Sequence, residues 1–139
     1  MKSLKQQLMA VAIFAVLACT GLHAQSMDMR ATIPFAFHAG DRLMPAGEYV
    51  IHEQGPWVWF RAADSGRPSP IFMTIGLDGQ GPQQARLEFN RYGNEFFLTA
   101  VWNSFTKDGR QVLPTAHEKE LAKRGDVPDK SAVTLTGTK

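Results

Sequence analysis

The side chains best equipped for chemistry in this chain are three histidines, His38, His52 and His117, and a scatter of carboxylates. His117-Glu118-x-x-Leu121 carries the first half of the H-E-x-x-H pattern, in which two histidines one helical turn apart hold zinc. Leu121 stands where the second imidazole belongs, so no metal site is expected. His52 and Glu53 are neighbours on an expected strand and point to opposite faces, the wrong geometry for one ligand set. All three histidines are therefore expected at the surface or in loops. There is no G-x-S-x-G nucleophile elbow, and Ser65, between Asp64 and Gly66, reads as turn chemistry. Asp41, Glu48, Glu53, Asp64 and Asp78 leave open a small envelope hydrolase using paired carboxylates. Solvated turns and strand faces are the plainer reading of those acids. No catalytic residue, no metal and no cofactor is assigned.

The aromatic side chains are the remaining candidates. Trp57 and Trp59 lie two apart on an expected strand, so their rings share one face. Trp102 ends a later strand, with Tyr92 nearby in sequence. The plain expectation is a core filled by large rings. The alternative is a contact surface made of Trp57, Trp59, Tyr92 and Trp102, stacking on sugars or gripping an apolar ligand or partner. Two strands keep that alternative open. Val58 and Phe60 oppose Trp57 and Trp59, while Phe97 and Val101 oppose Phe96, Leu98 and Trp102. Both segments are apolar on two faces, and a simple sandwich strand buries only one. The second face must meet a helix, a ligand or another chain.

Period-two alternation sets the framework that would carry these residues. Met29–Phe37 reads as a strand, at an edge or bulged because Pro34 lacks an N–H. Glu48–Glu53, Trp57–Arg61, Pro70–Gly76, Ala85–Asn90 and Glu95–Asn103 follow, with turns at 38–41, 45–47, 54–56, 64–66 and 91–94. The stretch 77–83 and the segment around Asp108-Gly109 read as loops. Thr115-x-x-Glu118 is a capping box opening a short helix over 115–124, with Gly125 as the residue that ends it. Its apolar surface is little more than Ala116 and Leu121, so it is expected to lie on the domain. The segment 126–139 reads as a tail or an extra strand. These elements predict a mainly β fold, a small antiparallel sandwich or barrel of about six to seven strands with one short C-terminal helix.

The N-terminus carries a different signal. Lys2 and Lys5 precede an uncharged apolar run from Leu8 to Ala18. That run is too short for a membrane-spanning helix, which needs ~20 apolar residues, and has the length of a signal-peptide core. Residues 1–24 are read as a cleavable signal, with cleavage after Ala24, leaving a β domain over 25–125 and the segment 126–139. Cys19 follows Val16-Leu17-Ala18, a loose version of a lipoprotein box with Leu17 too bulky, so lipidation is not expected. Cys19 is the chain's one cysteine, and its removal leaves packing alone to stabilise the domain. Loss of Lys2 and Lys5 brings the 15 basic residues level with the 13 acidic ones. No basic patch with interleaved aromatics suggests nucleic acid, and no anchor remains after cleavage.

The chain also resembles a family of small exported bacterial β-rich proteins of unknown function. Ile33-Pro34-Phe35-x-Phe37 with Gly40, then Pro45-Ala46-Gly47-x-Tyr49, is similar to that family's opening. Leu87-x-Phe89-x-Arg91-Tyr92-Gly93-x-x-Phe96-Phe97-Leu98 with Val101-Trp102 resembles its middle hairpin. Leu113-Pro114 with Glu118-x-Glu120-Leu121-Ala122 resembles its C-terminal helix. The region 57–83 departs from the pattern. The resemblance implies export and β architecture, and it implies no catalytic residue. The expectation is thus a periplasmic or secreted, non-enzymatic β domain for binding or assembly at the cell envelope. Its partner would be an unknown protein or a small apolar or carbohydrate ligand, with a small ligand-binding barrel and a homo-oligomer both left open.

Overall fold

The computed structural model describes residues 28–65, 71–77, 84–103 and 109–137. The expected signal segment, Cys19, Gly66 and Asp78 lie outside the described residues. Among the described residues the fold is mainly β, with one short helix. The strands are β1 (Asp28–Ile33), β2 (Phe37–Ala39), β3 (Arg42–Met44), β4 (Gly47–Gln54), β5 (Trp57–Ala62), β6 (Ile71–Leu77), β7 (Arg86–Tyr92), β8 (Glu95–Trp102), β9 (Gly109–Val112), β10 (Asp129–Thr134) and β11 (Thr136–Gly137), with helix α1 at Ala116–Lys123. Along the sheet the order is β10-β7-β8-β9-β6-β5-β4-β1-β11. Pairing is antiparallel except where His38 of β2 meets Phe97 of β8 in parallel. β10 pairs with β7 at one end of the order, and β11 pairs with β1 at the other. Only Leu135 separates them, and it is buried. One C-terminal segment therefore joins the sheet's two ends, giving a barrel-like closure that suppresses exposed edges.

The interior holds the inward side of each strand. Met29, Ala31 and Ile33 of β1, Tyr49 and Ile51 of β4, Val58 and Phe60 of β5, Leu87 and Phe89 of β7, and Leu98 and Val101 of β8 are all buried. Phe37 sits among them, edge-on to Tyr49 at 5.5 Å and to Phe89 at 5.6 Å. The Tyr49 hydroxyl donates to the Pro45 carbonyl oxygen, satisfying the polar end of a ring that is otherwise inside. Burial and the nearby Asp64 charge raise its pKa above 10.0.

Several expectations are corrected. The single strand over 29–37 is two strands, because Pro34 interrupts the ladder and Phe35 turns in to stack on Phe96 at 3.8 Å. The short β3 and β9 were not anticipated. Arg42-Leu43-Met44 has too few residues to show a period, and Gly109 lowers any strand reading of β9. In β8 the alternation changes phase. Glu88 pairs with Ala100 and Phe89 with Leu98, leaving Thr99 as the extra residue of a bulge. Val101 consequently faces inward with Leu98, while Trp102 joins Phe97 on the outside.

Helix α1 is held by groups other than those its apolar residues suggest. Thr115 caps it, its hydroxyl accepting from the Glu118 N–H at 3.2 Å. The Glu118 carboxylate instead accepts from Asn90 Nδ2 at 3.2 Å, and Glu118 is the helix's buried residue. Ala116 is exposed and Leu121 half-buried. Gly125 ends the helix at φ +86°. No helix among the described residues is long and apolar enough to cross a membrane.

Candidate functional site

Among the described residues, the outer side of β5 and β6 keeps a group of large apolar side chains exposed. With Val58 and Phe60 committed to the core, the pleat sends Trp57 and Trp59 outward. On β6, Phe72 and Thr74 take the inward side, and Ile71, Met73, Ile75 and Leu77 take the outward one. Register then places Trp57 opposite Met73 and Trp59 opposite Ile71. Ile71 is 65% exposed, Met73 57%, Ile75 51% and Trp57 44%. These are large apolar side chains side by side on two paired strands. The expectation that the tryptophans fill the core is thereby overturned for Trp57 and Trp59.

Two polar groups border this face. His52 of β4 lies opposite Trp59 and stacks on it, with ring centroids 5.3 Å apart and planes at 18°. Its Nδ1 lies 2.5 Å from Asp28 Oδ1, so a carboxylate fixes the imidazole against the indole. His52 is therefore a largely covered strand residue, and the expectation of a plain surface histidine is corrected. Glu53 takes the opposite side of β4 and meets Arg110 Nε at 3.3 Å.

The other named aromatics divide. Trp102 faces outward, paired with Gly109, which in turn pairs with Leu77 of β6. By register it continues the β6 face across β9. Its ring covers Gly109 closely: a Cβ there would sit 2.5 Å from two ring atoms. Tyr92 lies elsewhere. It is buried against Phe97, edge-on at 5.8 Å, where desolvation and then the Glu118 and Asp126 charges raise its pKa above 10.0.

That second region is the outer face of β8, roofed by α1. His38 stacks on Phe97 at 4.5 Å and 11°, and His117 of α1 lies 5.7 Å from the same ring. Glu95 Oε1 receives His117 Nε2 at 2.9 Å and lies 3.6 Å from His38 Nε2. The His117 hydrogen bond lowers the Glu95 pKa below 4.5, desolvation opposes, and the His117 and His38 charges add to the lowering. The side chain of His38 is only 21% exposed, again unlike the surface group expected. Among the described residues no group of three or more His, Cys, Asp or Glu is arranged to hold a metal ion. Glu48 and Glu53 occupy opposite faces of β4, the former held by Arg30 at 3.2 Å and the latter by Arg110. An open cleft of about 360 Å³ lies where the C-terminal segment passes β1 and β4, lined in part by Arg30, Thr32, Glu48, Thr134 and Thr136.

Sequence reasoning named Trp57 and Trp59 but missed Ile71, Met73 and Ile75. The signal was present as apolar residues at every second position of β6, beside a strand already apolar on both sides. No family model, curated protein or solved structure matches this chain.

Proposed function

We propose that this chain is an exported, non-enzymatic β domain that binds or assembles at the cell envelope through the outer face of β5 and β6. The observation that carries the proposal is the exposure of Trp57, Ile71, Met73 and Ile75 on a sheet whose inner side is already filled. Contiguous apolar patches beyond a few hundred Å² are uncommon on monomers and mark contact surfaces. Tryptophan and methionine are also enriched where such contacts form. Export is supported by Lys2 and Lys5 ahead of the Leu8–Ala18 run.

The aromatic pair also supports a reading as a platform for an apolar or carbohydrate ligand. Such a ligand would lie on the outer face, because Phe37, Tyr49, Phe60 and Phe89 occupy the interior. The paired-carboxylate hydrolase gains no support from Glu48 and Glu53, which diverge to opposite faces.

One preparation tests the proposal. The full chain is expressed in a bacterial host, fractionated and weighed by mass spectrometry. Recovery outside the cytoplasm without residues 1–24 is expected, and retention of the N-terminus in the cytoplasm overturns export. On the same material, diluted until it sediments as a monomer, acrylamide should quench part of the tryptophan emission and anilinonaphthalene sulfonate should bind. Substituting Met73→Gln should weaken dye binding while leaving the melting temperature in place. Unquenchable emission with no dye binding would remove the face as a working surface.

A further inference from the structure

The β5–β6 face has a self-complementary pattern, and we infer that its occupant is a second copy of this chain, packed sheet on sheet. This inference rests on the binding reading above. β5 is paired on both sides, with β4 and β6, and β6 is paired with β5 and β9. β5 pairs with β6 only over Trp57–Trp59, and the outward side chains there lie on the sheet face, so a partner covering them packs face-on, as sheets do at ~10 Å spacing.

The face has two rows of different bulk. Trp57 and Trp59 form an aromatic row on β5, while Ile71, Met73 and Ile75 form a slimmer aliphatic row on β6. A two-fold axis lying in the interface, parallel to the strands and between the rows, sets each aromatic row over the other copy's aliphatic row. Trp57 then faces the partner's Met73, and Trp59 faces the partner's Ile71. Large side chains meet small ones on both sides of the axis, which is the form of an isologous contact. The Trp57–Met73 contact adds the favourable approach of a thioether to an aromatic ring.

Charge and area agree with a second copy. The outward row of β5 runs on from Trp57 and Trp59 to the exposed Arg61, while the register neighbours at the other end are neutral: Gln54 opposite Trp57 and Gln111 opposite Ile75. Asp28 and Arg61 stand at the rim, so closure desolvates no unpaired charge at the centre. The exposed fractions of Trp57, Ile71, Met73 and Ile75, from 44% to 65%, amount to on the order of 400 Å² per copy. That is about the apolar part of a standard interface of ~800 Å² per partner.

Sedimentation of the purified full chain over about 1 to 100 µM tests the inference. A reversible dimer is expected, and Met73→Glu should weaken it on the order of 100-fold, because each carboxylate would be buried against an indole. A contact-specific arm uses Cys19→Ser as background. Mixed Trp57→Cys and Met73→Cys proteins should form a disulfide-linked heterodimer faster than either forms a homodimer. This arm needs no Met73→Glu variant, so it decides the matter even where that variant does not fold. A dimer that survives Met73→Glu, or cysteines that do not cross-link preferentially, overturns the inference. A wild-type monomer at every concentration that still binds anilinonaphthalene sulfonate overturns the second copy while sparing the surface. A monomer that binds no dye removes both.

Discussion

β8 and β5 carry apolar side chains on both faces, yet their outer faces have opposite fates. On β8, Phe97 is covered by His38, Tyr92 and His117 and is buried even though it lies on the side away from the main core. On β5 and β6, no helix among the described residues roofs Trp57 and its β6 neighbours, which stay exposed. The two segments look alike as sequence. What separates them is the landing place of α1, fastened over β7 and β8 by Glu118 on Asn90 and by His117 on Glu95. An apolar outer face therefore says that something covers the strand. Where a helix of the same chain supplies the cover, the face is structural; where none does, it is available for a contact.

The comparison can be broken most directly by truncating one residue from each face. Phe97→Ala should cost about 3 to 4 kcal/mol in chemical denaturation, the range for emptying a buried aromatic site. Met73→Gln should stay within about 0.5 kcal/mol when both proteins are measured as monomers, as for an exposed position. Similar costs for the two would mean that the faces are not different in kind.

A smaller effect sharpens the role of the helix. Thr115→Ala removes the hydroxyl that accepts from the Glu118 N–H and should cost about 1 kcal/mol. The loss should appear as faster amide exchange in α1 and greater exposure of Tyr92, with the emission of Trp57 and Trp59 unchanged. A change at the tryptophans would show the two faces to be coupled.

The smallest expected effect is the pH dependence of the roof. Glu95 has its pKa lowered from 4.5, first by the His117 hydrogen bond. Its contribution is thus fully present above pH 4.5 and is lost as pH falls through the lower folded-state value. At a carboxylate 42% exposed, solvent screening holds this to a few tenths of a kcal/mol. Amide exchange in α1, corrected for intrinsic rates, should quicken below pH 4.5 in the wild type. Glu95→Gln should remove that pH dependence, and an unchanged profile in the variant would place its origin elsewhere.

Much of the framework was legible from residue patterns. Alternation located β4 and β5 and the β7–β8 hairpin to within a residue or two, and Thr115 with Gly125 marked the ends of α1, because strand pleat and helix capping are local. Trp57 and Trp59 were placed on one face of one strand for the same reason. Trp102 was put on the wrong side, since the bulge at Thr99 is set by pairing with β7 and leaves no mark in an alternating run. Tyr92 was grouped with the tryptophans by kind, whereas it lies buried against Phe97. His117 is exposed as expected, but the cover on His38 and His52 is not legible because their partners Glu95 and Asp28 are remote in sequence: Glu95 is 57 residues from His38.

The chain's own order of residues thus determines which positions alternate, where the backbone turns and which strands have apolar side chains on two faces. Only the tertiary structure decides which of those faces is closed, because closure depends on where α1 and the C-terminal segment pack. That choice rests on non-local contacts such as Glu118 with Asn90 and Thr136 with Arg30, whose energies no local pattern encodes.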